Sequence, residues 1–176
     1  HQTLQASIDW DWRLLDEEER NFLTKVSVFA GGWTLESAQS VCEGDILRLT
    51  SALAKKSLIM VDQQTGHETR YHFHEIVREY AHKKLLEAQQ ETAIRGRHLE
   101  YFLQLSQQAD SGLRGPSDVD WMEHLNDECY NMRAALRWAQ KENTEAGLYL
   151  AGSLRQYWES LNLSEGIQWL ETFLSK

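Results

Sequence analysis

Between Ser57 and His74 the hydrophobic period changes once, from helical to strand-like and back again. Residues 57–62 (SLIMVD) are a short apolar run, residues 63–68 include Gly66, and residues 69–74 (TRYHFH) alternate. This pattern predicts a two-stranded hairpin. An isolated hairpin is marginal in water, so it has to lie against helices, and helical stripes stand directly before it.

A first helix is expected to end near Leu14, with Leu4, Ile8 and Trp12 on one face and Leu15 closing it. Asp16 followed by Glu19 has capping-box spacing, and the buried stripe of Phe22, Leu23, Val26 and Phe29 follows, with Gly31 and Gly32 expected to stop that helix. Thr34 is placed to cap a short helix with Leu35, Ala38 and Val41 inward. After Gly44 and Asp45, a third stripe of Ile46, Leu49 and Leu53 ends at Lys55 and Lys56, where cations suit the helix dipole. Helix, helix, helix, hairpin is the order of a winged helix, assigned to residues 1–90.

The helical period returns after His74 with Ile76, Val77, Tyr80, Ala81, Leu85 and Ala88, then with Ile94, Tyr101, Phe102, Leu105 and Ala109. Residues 111–117 are the chain's one Gly/Pro/Ser cluster and hold its single proline, Pro116; with Gly112 and Gly115 they read as a loop and hinge. Further helices are expected at 118–125 with Trp121, at 127–140 with Tyr130, Ala134, Leu136 and Trp138, at 145–161 with Trp158, and at 164–175 with Ile167, Leu170, Phe173 and Leu174. Residues 91–176 thus read as antiparallel α-hairpins beginning a repeat array, which would leave Trp158 or Trp169 on an apolar surface for a following helix to cover. The fold class is mainly α.

Composition narrows the function. There are 18 Lys+Arg against 27 Asp+Glu, a net charge of −9, which disfavours a surface devoted to neutralising phosphates. Cys42 and Cys129 form no framework and read as small buried side chains in a reducing cytoplasm. The chain opens on His1 rather than Met and has no signal peptide or membrane-length apolar run, so it reads as a cytoplasmic segment of a longer protein with no membrane partner.

No G-x-x-x-x-G-K-[ST] or G-x-G-x-x-G phosphate cradle is present, nor H-E-x-x-H, nor G-x-S-x-G. Catalytic residues: none are expected. His72 and His74 fall on one strand face with Glu75 adjacent, too few ligands for a zinc site, so no metal and no cofactor are expected in this segment. The other histidines read as exposed or locally hydrogen-bonded.

Several stretches together resemble one family. Residues 4–15 (LQASIDWDWRLL), 26–38 (VSVFAGGWTLESA), 53–59 (LAKKSLI), 71–81 (YHFHEIVREYA), 112–116 (GLRGP), 131–139 (NMRAALRWA) and 165–171 (EGIQWLE) are similar to the region after the ATPase core in bacterial STAND proteins. These are signal-transduction ATPases with numerous domains, akin to plant NB-ARC proteins. The resemblance implies a winged helix followed by a tetratricopeptide-like superhelix acting as sensor. It implies ATP or ADP with magnesium in the parent protein, an intramolecular ATPase core as partner, a protein or small-molecule signal at the repeats, and an oligomer on activation. Phe73-His74-Glu75 aligns with that family's Met-His-Asp motif, whose histidine contacts the ADP β-phosphate and helps to hold the inactive state. Phe73 stands in place of Met and Glu75 in place of Asp.

The expected function is therefore a non-catalytic regulatory segment. The alternative is a DNA-binding winged helix of a transcriptional regulator, with Arg48, Lys55 and Lys56 against Asp45 on the would-be recognition helix. The wing offers Arg70 among Asp62 and Glu68, and residues 16–19 add negative charge; on these grounds DNA is an unlikely partner.

Overall fold

The computed structural model describes residues 2–63 and 68–175, with side chains from Ser7 onward. Gly66 and the Leu4 side chain lie outside the described residues. The chain divides into two compact units, His1–Ile94 and Arg95–Lys176. The first contains α1 (Gln2–Arg13), α2 (Glu17–Val26), α3 (Leu35–Val41), α4 (Ile46–Lys55), β1 (Ile59–Asp62), β2 (Arg70–Phe73) and α5 (Glu75–Glu87). The boundary falls within α6 (Glu91–Gly112), and α7 (Asp118–Asp127), α8 (Cys129–Glu142), α9 (Thr144–Ser153), α10 (Arg155–Leu161) and α11 (Leu163–Leu174) complete the second. The fold is mainly helical, a winged helix followed by further helices.

Side-chain caps start α2, α3 and α4, those at Asp16 and Thr34 as the sequence spacing forecast. The Glu19 backbone N–H donates to Asp16 Oδ1 at 2.8 Å and the Asp16 N–H donates back to Glu19 Oε2 at 2.9 Å, so two otherwise orphaned donors are satisfied. Thr34 and Ser37 make the same reciprocal pair for α3, and Asp45 accepts from the Arg48 N–H at 3.0 Å for α4. The amphipathic stripes then meet: α2 packs against both α4 and α5, and Phe22, Leu23, Val26, Phe29, Leu49, Leu53 and Leu85 are buried. Each such side chain contributes about 1.5–3 kcal/mol on leaving water.

The hairpin pairs antiparallel, with Ile59 opposite Phe73 and Val61 opposite Tyr71. Trp33 adds a short third rung: its N–H donates to the Tyr71 carbonyl at 2.9 Å and its carbonyl accepts from the Tyr71 N–H at 2.8 Å. This rung explains a departure from the sequence reading. Gly31 and Gly32 do not stop α2, which ends at Val26 with Ser27 still right-handed. Instead Gly32, at φ +81°, lets the chain approach β2 so closely that a Cβ there would lie 2.5 Å from both the Tyr71 carbonyl oxygen and His72 Nδ1.

In the second unit α8 packs on α9, and α11 on both α9 and α10, around Leu136, Leu150, Leu154, Trp158 and Phe173. Arg133 of α8 clamps Glu165 of α11 through two bonds of 2.7 and 2.9 Å. The helix expected over 145–161 is two, parted at Leu154 just after Gly152 and Ser153, a pair at which helices bend. Trp158, expected on an open surface, is only 2% exposed, because α10 lays it against α11 at Gly166; Trp169 is half-buried and stacks on Phe173. Of the last stripe only Phe173 is buried, while Ile167 and Leu174 are exposed. Tyr130 is also exposed, with the Arg133 guanidinium 5.9 Å from its ring centre. Among the described residues no helix is long and apolar enough to cross a membrane.

Candidate functional site

Helix α4 divides cleanly into two faces. Ile46, Leu49, Thr50 and Leu53 are buried, which leaves Leu47, Arg48, Ser51 and Lys55 exposed. In a winged helix this is the element that enters the major groove, its first residues nearest the base edges. Beside it in sequence, the wing exposes Met60, Val61 and Asp62, while Arg70 turns back to donate to the Gly31 carbonyl at 3.3 Å.

The three cations of α4 and its C-cap differ in their partners. Arg48 donates to a carboxylate oxygen of Glu18, and both side chains of this pair are well exposed, at 48% and 71%. Lys56 donates to both oxygens of Glu19 at 2.6 and 2.7 Å, and the Glu19 side chain is only 7% exposed. Lys55 is exposed and makes no ion pair among the described residues. Negative charge at residues 16–19 was legible in sequence; its reach to both ends of α4 follows from the packing of α2 on α4.

His74 occupies the N-cap of α5 but makes no side-chain capping bond. Its carbonyl accepts from the N–H groups of Val77 and Arg78, at 2.9 and 3.1 Å, and its imidazole is exposed. A capping role for the His74 side chain is thus absent. Its neighbours are committed elsewhere. The Phe73 ring lies 4.9 Å from that of Trp33, and Glu75 is held by Arg78 at 2.6 and 3.1 Å, a hydrogen bond that pulls its carboxyl below the ordinary range. Burial, and then the Arg70 charge, lower the His72 imidazole. No metal-holding group of three or more His, Cys, Asp or Glu occurs among the described residues.

Gly112, Gly115 and Pro116 belong to the second unit. Gly112 ends α6 where a Cβ would fall 1.9 Å from Trp121 Nε1, so its smallness serves packing. Gly115 donates to the Gly112 carbonyl at 3.0 Å, and Pro116 is exposed.

The sequence reading missed His98. It sits 2% exposed in the second core, where burial, aided by the Arg95 charge, pushes it down to about 3 against a hydrogen bond with Asn131. An i, i+4 pairing with the apolar Phe102, whose ring lies 4.7 Å away, was the available signal.

The winged helix-turn-helix domain family matches residues 15–86, from the end of α1 into α5. The chain is 35% identical over 185 aligned residues to the "Putative HTH-type transcriptional regulator Rv0890c" of Mycobacterium tuberculosis (strain ATCC 25618 / H37Rv), covering 98% of this chain and 20% of that protein. The same figures hold for "Putative HTH-type transcriptional regulator Mb0914c" of Mycobacterium bovis (strain ATCC BAA-935 / AF2122/97). An "Uncharacterized protein Rv0894" of the same M. tuberculosis strain is 32% identical over 121 residues, 65% of this chain and 30% of its own. No solved structure matches the chain. The chain therefore spans about a fifth of the length of the first of these relatives. Residues 15–86 form a winged helix-turn-helix domain, within a chain similar over nearly its whole length to one segment of proteins named as bacterial transcriptional regulators.

Proposed function

We propose that the chain is a non-catalytic, cytoplasmic segment of a bacterial transcription regulator, with a winged helix (residues 1–90) that contacts DNA and a helical part (residues 91–176) that receives a signal. The supporting observation is the winged helix-turn-helix match together with the exposed face of α4, where Leu47, Arg48, Ser51 and Lys55 stand opposite a buried stripe. The contact is modest in strength. Residues 15–86 carry nine Lys+Arg against eleven Asp+Glu, so attraction to phosphates is local to α4 rather than general. The test is binding of the chain to a labelled DNA duplex, compared with Lys55→Glu. The reading predicts weaker binding by the variant at an unchanged melting temperature; equal binding by the two proteins contradicts it.

A second reading is favoured by His74, an exposed imidazole without a capping bond at the start of the 13-residue helix α5. A donor there adds to the field by which a helix N-terminus favours a phosphate oxygen. In this STAND-type reading the winged helix docks on an ATPase core of the parent protein, His74 meets the phosphate of bound ADP, and residues 91–176 begin a tetratricopeptide-like sensor whose hinge lies near Gly112, Gly115 and Pro116. His74→Ala and His74→Leu in the full-length protein test it by ADP retention and basal output. Faster nucleotide loss supports the reading, and unchanged retention and output remove it.

A further inference from the structure

The two acidic residues that reach α4 are not equivalent, and the difference assigns one of them a role in the proposed DNA contact. Glu19 is fixed: it is buried, it completes the capping box of α2, and both its oxygens take Lys56. Breaking it away would strand a carboxylate in the interior. Glu18 lies one position earlier on the same first turn with its side chain 71% exposed, and among the described residues its ion-pair partner is Arg48. Exposed pairs of this kind are weak and screened by salt.

Arg48 is the third residue of α4, at the end of the helix that faces base edges and phosphates in a winged helix. Of the cations on α4 and its C-cap, Lys55 makes no ion pair among the described residues, Lys56 is committed to Glu19, and Arg48 alone has a solvent-exposed partner it can exchange. We propose that Glu18 is an internal competitor for DNA, a carboxylate that occupies Arg48 in the free protein and that a nucleic-acid phosphate or base edge must displace. Glu18 thereby sets the affinity and salt dependence of the winged helix without touching DNA. This inference rests on the DNA reading above and names the regulation of that same face.

Three consequences follow from displacement. Removing the Glu18 charge frees Arg48 beforehand, so affinity rises. The variant liberates no carboxylate to attract a cation on binding, so the dependence of log K on log salt steepens slightly, by well under one. Both effects vanish when Arg48 is absent.

The experiment is fluorescence anisotropy of a labelled mixed-sequence duplex titrated with the 176-residue chain and with Glu18→Gln, Arg48→Ala and the double variant, over a salt series. Melting temperature is measured alongside, and the exposure of both side chains predicts that it moves little. The expected result is binding about threefold tighter for Glu18→Gln, a slightly steeper salt slope, and no further effect of Glu18→Gln in the Arg48→Ala background. Measurable binding that is the same in wild type and Glu18→Gln overturns the competitor role while leaving the DNA reading in place. No binding by any of the four proteins overturns both.

Discussion

Lys56 Nζ lies 2.6 and 2.7 Å from the two carboxylate oxygens of Glu19, 37 positions earlier in the chain, so the start of α2 is tied to the end of α4. The same Glu19 side chain receives the Asp16 N–H. One carboxylate thus closes a helix cap and fixes the helix that carries the candidate surface.

This double duty predicts an asymmetry between adjacent residues. Glu19→Ala loses the cap reciprocity and leaves Lys56 without its partner, at a cost of about 1–3 kcal/mol. Glu18→Ala changes stability by less than about 0.5 kcal/mol, because its pair with Arg48 is exposed. Urea unfolding midpoints at constant m-value measure both, and equal losses would show that the Glu19 bonds are not formed.

Glycine substitutions separate packing from hinge freedom in the 112–116 loop. Gly112→Ala drives a methyl into the Trp121 indole and is expected to cost about 1–3 kcal/mol. Gly115→Ala meets nothing nearer than the Gly112 carbonyl oxygen at 3.5 Å and is expected to be close to neutral. Thermal unfolding of the two variants distinguishes them; matching losses would contradict the Gly112–Trp121 contact.

His98 predicts how the second unit responds to acid. Its folded value is about 3, below the unfolded 6.5, so between those values the unfolded chain binds a proton that the folded one excludes. Its contribution to stability is therefore intact above about pH 6.5 and is lost as the pH falls toward about 3, with a slope of at most about 1.4 kcal/mol per pH unit. Urea titrations across that range should show His98→Leu with a shallower acid slope than the wild type, and an unchanged slope would place the histidine in solvent.

The starts of α2 and α3 were legible because caps are local: Asp16 and Thr34 each bond to a backbone N–H three residues on, within the reach of a sequence pattern. The hairpin was legible because period 2 contrasts with its helical flanks. Long-range pairings were not. Nothing in the neighbourhood of Gly32 announces that Trp33 will bridge Tyr71, and the apolar spacing of α11 does not tell that Phe173 turns inward while Leu174 faces water. Trp158 was misplaced for a related reason. Its burial depends on α11 folding back over α10, which is a tertiary fact. At the candidate surface the cations of α4 were visible in sequence, but their division into paired and unpaired groups depends on where α2 lies.

The most direct measurement of the proposed DNA contact is the salt dependence of duplex binding by the wild-type chain and by Lys55→Ala. With Arg48 and Lys55 as the phosphate-facing cations, log K should fall with log salt at a slope of about −2, becoming shallower by about one in Lys55→Ala with no change in melting temperature. Binding that ignores salt, or a slope that Lys55→Ala leaves unchanged, would contradict the assignment of α4 as the DNA-contacting face.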